Sequence, residues 1–144
     1  GVDRRFDFPV RRSDMVYISD YAHHPEEIRQ SILSIKQLYE GRRIKAIFQP
    51  HLYSRTKDFY QEFADALSLL DDVVLLDIYP AREEPIPGVT SQLIYDNLRP
   101  GISKHMCQKQ DILDYVKAKD FDVLVTLGAG DIENYAEEIT EILN

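Results

Sequence analysis

The spacing of apolar and polar positions changes period several times along the chain, and each change marks an element boundary. From Phe6 to Tyr21, polar and apolar residues alternate around Pro9 and the turn-like Arg12-Ser13-Asp14. This predicts an antiparallel pair of strands, with the second, Met15 to Asp20, central in its sheet. Pro25 at a first helical position, followed by Glu26 and Glu27 in the positively polarised first turn, then opens a helix. Its Ile28, Ile32, Ile35 and Tyr39 fall on one face, and Gly41 stops it. Ile44 to Phe48 predicts the next strand. A second helix is expected after Thr56, with Phe59, Phe63, Ala66, Leu67 and Leu70 as its buried stripe.

Val73-Val74-Leu75-Leu76 is a continuous apolar run of the kind buried on both faces of a parallel sheet. It leads into an irregular, Pro-rich stretch from Tyr79 to Gly88, long enough to carry function. Short helices are predicted over Ser91 to Leu98 and Ile112 to Lys119, with a weaker strand at Lys104 to Cys107 between them. Asp122 to Leu127 is the last strand, and Gly128-Ala129-Gly130 turns the chain into a final helix. Ile132, Tyr135, Ala136, Ile139 and Leu143 are expected to form the core face of that helix. Strands alternating with helices imply an α/β fold: a Rossmann-like open, mostly parallel sheet, helices on both faces, and one antiparallel N-terminal edge strand.

Composition narrows the class. With 144 residues, 44% hydrophobic and 29% charged, the chain reads as one globular domain spanning 1–144 with an ordinary core. A net charge of -8 has the wrong sign for nucleic acid or an anionic membrane surface as partner. Apolar runs are far below the roughly 20 residues of a membrane span, so a cytoplasmic location is the expectation. The single Cys107 excludes an internal disulfide and a Cys-rich zinc site. The abrupt start at Gly1-Val2-Asp3-Arg4-Arg5-Phe6 reads as that of a domain excised from a longer enzyme.

In open α/β sheets, ligands bind beyond the carboxyl ends of the parallel strands. Four polar clusters follow the predicted strands: Asp20-Tyr21-Ala22-His23-His24, Gln49-Pro50-His51-Leu52-Tyr53-Ser54-Arg55, Tyr79-Pro80-Ala81-Arg82-Glu83-Glu84 and Gly128-Ala129-Gly130-Asp131. All four are therefore expected on one rim. Each also has an ordinary structural reading. Asp20 either stabilises a turn or cap, or contacts a ligand. Arg55 is either a surface cation or a bidentate grip on a carboxylate. His23 and His24, as sequence neighbours, point apart, so no shared metal site is predicted. Gly128-Ala129-Gly130 lacks the third glycine of a dinucleotide fingerprint and reads as a tight turn. The sequence contains no G-x-x-x-x-G-K-[ST] phosphate loop, G-x-S-x-G elbow or H-E-x-x-H motif. The residues alone thus suggest a binding module holding part of an active site.

Taken together, Gly1-Val2-x-Arg4-Arg5-Phe6, Asp20-Tyr21-Ala22-His23-His24-Pro25, Phe48-Gln49-Pro50-His51-x-Tyr53-x-Arg55-Thr56 and Leu127-Gly128-Ala129-Gly130-Asp131-Ile132 resemble the C-terminal domain of the MurC-type Mur ligases of peptidoglycan synthesis. The resemblance covers essentially the whole chain. It implies an ATP-dependent ligase, using Mg2+, that joins the lactyl carboxyl of UDP-N-acetylmuramate to L-alanine through an acyl phosphate. It further implies that the missing N-terminal and central domains carry the UDP-sugar site and the phosphate loop, and that the central domain mainly holds the Mg2+. By motif position, Arg5 matches the family arginine near the ATP phosphates, and Asp20 the acid that contacts the nucleotide ribose. Tyr21, His23, His51 and Arg55 match the surface that receives L-alanine. One departure is Leu52, where many family members have arginine, so Arg55 is expected to act alone or with Arg82. Competing readings are a freestanding nucleotide- or amino-acid-binding module, and a related ligase that recycles muramyl peptides.

Overall fold

The computed structural model describes residues 6–144. Arg5, expected near the ATP phosphates, lies outside them. A single sheet of six strands runs in the order β1-β2-β6-β3-β4-β5. These are β1 (Phe6–Arg11), β2 (Val16–Asp20), β3 (Ile44–Phe48), β4 (Asp72–Leu76), β5 (Ser103–Cys107) and β6 (Val123–Leu127). The β1 strand pairs antiparallel with β2 at the edge. Every other pairing is parallel. The predicted architecture is therefore the observed one, including the antiparallel N-terminal strand and the interior position of β2.

Residues of the parallel strands alternate between two cores. Val16, Ile18, Ala46, Phe48, Val73, Leu75, Val123, Val125 and Leu127 face helices α1 (Pro25–Leu38), α2 (Tyr53–Leu67) and α3 (Gln92–Asp96). Tyr17, Ile47, Val74, Leu76 and Leu124 face α4 (Ile112–Lys117) and α5 (Ala136–Leu143). Because neighbouring side chains on a strand point to opposite faces, an uninterrupted apolar run such as Val73 to Leu76 fits only a strand covered on both sides. Cys107 is buried in this second core, and burial pushes its thiol up to about 12, which removes its reactivity as a thiolate.

Two polar inclusions brace the sheet. The Tyr17 hydroxyl meets Thr126 Oγ1 at 3.1 Å between β2 and β6. At the amino ends of the strands, the Lys45 side chain is only 3% exposed, and its ammonium donates to Asp120 at 2.6 Å and lies 3.6 Å from Asp72. A buried ammonium needs such partners, since leaving it unpaired costs several kcal/mol.

The elements differ from expectation in three places. Helix α2 starts at Tyr53, ahead of the predicted start after Thr56. Leu52, at φ 76°, turns the chain sharply, and its carbonyl accepts both the Thr56 amide at 3.2 Å and the Thr56 hydroxyl at 2.9 Å. Phe59, placed on the buried stripe by periodicity, instead has non-helical backbone angles and is 42% exposed. A kink at that residue rotates it off the stripe, while Phe63, Ala66 and Leu67 remain buried. Finally, Asp131–Tyr135 is a 3-10 segment, and the α-helix proper begins at Ala136.

Candidate functional site

The carboxyl ends of β2, β3, β4 and β6 bring the four polar clusters to one rim. Short backbone links hold them there. The Gly128 amide donates to the Asp20 carbonyl at 3.2 Å, and the Gln49 amide to the Leu127 carbonyl at 3.1 Å. Between β3 and β4, the Leu52 amide donates to the Tyr79 carbonyl and the Tyr79 amide to the Pro50 carbonyl, both at 2.8 Å. This reciprocal pair extends the parallel ladder past the strand ends as an isolated bridge between His51 and Tyr79. The His51 and Tyr79 rings stack at 5.4 Å with an interplanar angle of 25°.

On the β2 side, Asp20 is buried and its Oδ1 accepts the Ala22 amide at 2.9 Å. This is the turn-forming role that a short carboxylate takes at a strand end. The chain then enters α1 through His23 and His24, whose amides both donate to Glu27 Oε1 at 3.2 Å. Glu27 so closes the first turn from within, as the glutamate of a capping box does. The amides and the nearby histidines hold its carboxyl below the ordinary value, against the effect of partial burial. In its Nδ1–H tautomer, His23 donates to the Tyr21 carbonyl at 3.1 Å. The Tyr21 ring is half exposed and meets His23 edge-on at 5.7 Å.

The rim is joined across β2 and β3 by a row of rings. His23 lies 4.9 Å from His24 and 5.9 Å from His51, centroid to centroid. Arg55, in the first turns of α2, supplies the local positive charge. Partial burial, and then Arg55 and His23, hold His24 and His51 below the ordinary imidazole value. Near pH 7 both rings are thus neutral. His51 Nδ1 and Arg55 Nη1 are buried and have no hydrogen-bond partner among the described residues. Buried polar atoms are nearly always paired, so two unpaired ones on the same rim suit an anionic acceptor arriving from outside the chain.

Of the residues singled out from sequence, Tyr21, His23, His51 and Arg55 come together here. Asp20 sits beneath them with a structural partner, and Arg82 is exposed on the loop after β4. Sequence reasoning missed the supports. Gln49 is buried, and its Oε1 accepts the Ile132 amide at 3.0 Å, tying β3 to the start of the last helical segment. Gly130 faces Tyr79 so closely that an added Cβ would lie 2.7 Å from the Tyr79 Cγ and 2.9 Å from Gln49 Oε1. Glu83 accepts the Ser54 amide at 3.1 Å and, in a short contact, the Ser54 hydroxyl. The clustering of Tyr79 and Glu83 in the loop after β4 was visible in the sequence, but their partners were not.

Residues 4–130 match the family described as Mur ligase, glutamate ligase domain. The chain belongs to this family. Among relatives, the Mur ligase domain is 65% identical over 144 residues to the UDP-N-acetylmuramate–L-alanine ligase of Phocaeicola vulgatus, covering 100% of this chain and 31% of that protein. It is 55% identical over 143 residues to the enzyme of the same name from Parabacteroides distasonis, covering 99% of this chain and again 31% of the relative. The domain therefore spans about a third of the length of these curated relatives. Among solved structures, the UDP-N-acetylmuramate–alanine ligase of Thermotoga maritima superposes with a TM-score of 0.74 at 30% identity, covering 96% of this chain and 29% of that one. A murein peptide ligase from Psychrobacter arcticus shares the fold, with a TM-score of 0.74 at 22% identity over 97% of this chain and 30% of that one.

Proposed function

We propose that this Mur ligase domain belongs to a bacterial cytoplasmic enzyme that uses ATP to join L-alanine to UDP-N-acetylmuramate, and that its rim supplies amino-acid and nucleotide contacts. The observation that carries this reading is the pair of unpartnered polar atoms on His51 and Arg55, on the rim where strand-end ligands bind in open α/β sheets. A guanidinium fork and a neutral imidazole together suit the carboxylate of a small amino acid, whose methyl group offers little else to grip. Holding the amine in line for acyl transfer then removes much of the entropy cost of a bimolecular step. The names of the relatives, over all of this chain, favour L-alanine as that amino acid. In this reading Mg2+ and the UDP-sugar are held by parts of the enzyme outside residues 1–144. Among the described residues, no helix is long and apolar enough to cross a membrane.

The complete protein should release phosphate from ATP only when UDP-N-acetylmuramate and L-alanine are both present, and residues 1–144 alone should release none. Phosphate release by the isolated segment at the rate of the complete protein would overturn the proposal.

On the nucleotide side, Asp20 and Arg5 are proposed to meet ATP when the domain closes on the rest of the enzyme. Asp20→Ala should chiefly raise the KM for ATP. Because Asp20 Oδ1 also accepts the Ala22 amide, Asp20→Asn is the control that keeps this turn. A raised ATP KM in both variants supports ribose contact; a normal value in Asp20→Asn leaves Asp20 as a turn residue alone.

A further inference from the structure

The entry to α2 runs through His51 and the N-cap Leu52 into a first turn that carries Ser54 and Arg55, yet the helix has no cap of its own. Leu52 at the N-cap is a hydrocarbon, makes no side-chain cap and sits at φ 76°, a conformation costly for any residue with a branched side chain. No acidic residue lies in the first turn to meet the helix dipole. What the helix lacks is brought from another loop. Glu83 accepts the Ser54 amide at 3.1 Å and also the Ser54 hydroxyl. Those bonds keep its carboxyl ionised, below the ordinary carboxylate value.

The loop is itself fixed at both ends of this reach. The Glu83 amide donates to the Pro80 carbonyl at 2.9 Å, closing a tight turn that holds Ala81 at φ 53°. One residue earlier, Tyr79 is bound in both directions to Pro50 and Leu52 and stacks on His51. The segment from Tyr79 to Glu83 thus clamps the segment from Pro50 to Ser54 at two points, on either side of the strained Leu52. His51 and Arg55, the two side chains with unpartnered polar atoms, flank that clamp. A site that grips a small anion has to fix its donors closely, and rigid outer contacts are the usual means.

We infer that Glu83 is a positioning residue for amino-acid binding, acting through Ser54 as an N-cap supplied from a distant loop, so that His51 and Arg55 are held ready for the carboxylate. This rests on the amino-acid reading of the rim given above. It adds that the affinity of the site depends on a residue that does not touch the substrate.

The test uses the complete protein and four variants: Glu83→Ala, Glu83→Gln, Ser54→Ala and Arg55→Lys. Steady-state constants for L-alanine and ATP are measured, together with amide hydrogen exchange over 52–56. Glu83→Ala should raise the L-alanine KM about tenfold, the scale of one lost charge-assisted hydrogen bond, and speed exchange at the Ser54 amide. The ATP KM should stay within about twofold, since uniform damage would move both constants. Glu83→Gln keeps an acceptor for the Ser54 amide and should recover most of the loss. If Glu83→Ala yields no folded protein, Ser54→Ala reads the hydroxyl half of the same contact and should raise the L-alanine KM alone. An unchanged L-alanine KM in Glu83→Ala or its substitute, beside a raised one in Arg55→Lys, overturns the inference and leaves the site reading intact. An equal rise in both KM values makes Glu83 a general brace and also overturns it. If Arg55→Lys leaves the L-alanine KM unchanged, the site reading falls and takes the inference with it.

Discussion

Arg55→Lys in the complete protein should raise the L-alanine KM by roughly 10- to 150-fold, equivalent to about 1.5–3 kcal/mol, while the ATP KM barely moves. The substitution keeps a positive charge but removes the planar fork that meets both oxygens of a carboxylate. Lysine also carries a compact, strongly hydrated charge, which is harder to seat where a guanidinium nitrogen is already withdrawn from water. Leu52 cannot compensate, since its side chain has no donor. His51 supplies one neutral nitrogen, which orients the ligand but does not balance its charge. The exposed Arg82, on the loop after β4 whose Tyr79 and Glu83 contact this segment, is the next candidate cation. Steady-state titration of L-alanine decides the matter. If Arg55→Lys left both KM and kcat for L-alanine unchanged, the anchor would have to be placed elsewhere, with Arg82→Ala the next variant to make.

The same experiment bears on how the site is encoded. The sheet was legible because local patterns determine it: Ile44 to Phe48 was placed to the residue by its apolar run, and the two-sided burial of Val73 to Leu76 followed from continuity alone. The rim was legible from topology, since polar clusters after parallel strands must emerge on one edge. The start of α2 was not. A helix normally announces itself by a capping side chain, and here the cap is Glu83, which approaches Ser54 from 29 residues away. Phe59 was misplaced because periodicity assumes an unbroken helix, whereas its φ of -128° breaks the phase. For Asp20 the sequence allows two roles, and the turn role is the one seen within the chain. What no window of sequence contains is the close packing of Gln49 and Tyr79 against the turn after β6. That packing also explains the glycines of the Gly-Ala-Gly turn, since a side chain at Gly128 or Gly130 would collide with Gln49 or Tyr79.

Gly128→Ala should therefore destabilise the fold by about 2–5 kcal/mol, the sum of an unfavourable backbone conformation and forced overpacking. Gly128 has φ 134°, and a Cβ there would lie 2.7 Å from the Gln49 carbonyl oxygen. Both residues are held by backbone bonds just past the ends of neighbouring strands, because the Gln49 amide is bound to the Leu127 carbonyl and the Gly128 amide to the Asp20 carbonyl. Neither can retreat without breaking a ladder bond. Gly41 provides the control. It also has positive φ, +80°, but an added Cβ would meet nothing within 4 Å. Gly41→Ala should thus cost only the conformational part, about 1–2 kcal/mol. Denaturant unfolding of the complete protein and both variants, followed on the transition of this domain, separates the two contributions. Gly128→Ala should unfold at distinctly lower denaturant than Gly41→Ala, and equal midpoints would show that the close approach between β3 and the turn after β6 costs nothing. Because the carbonyl in question belongs to Gln49, whose side chain holds the Ile132 amide, the same shift would also loosen the floor beneath His51 and Tyr79.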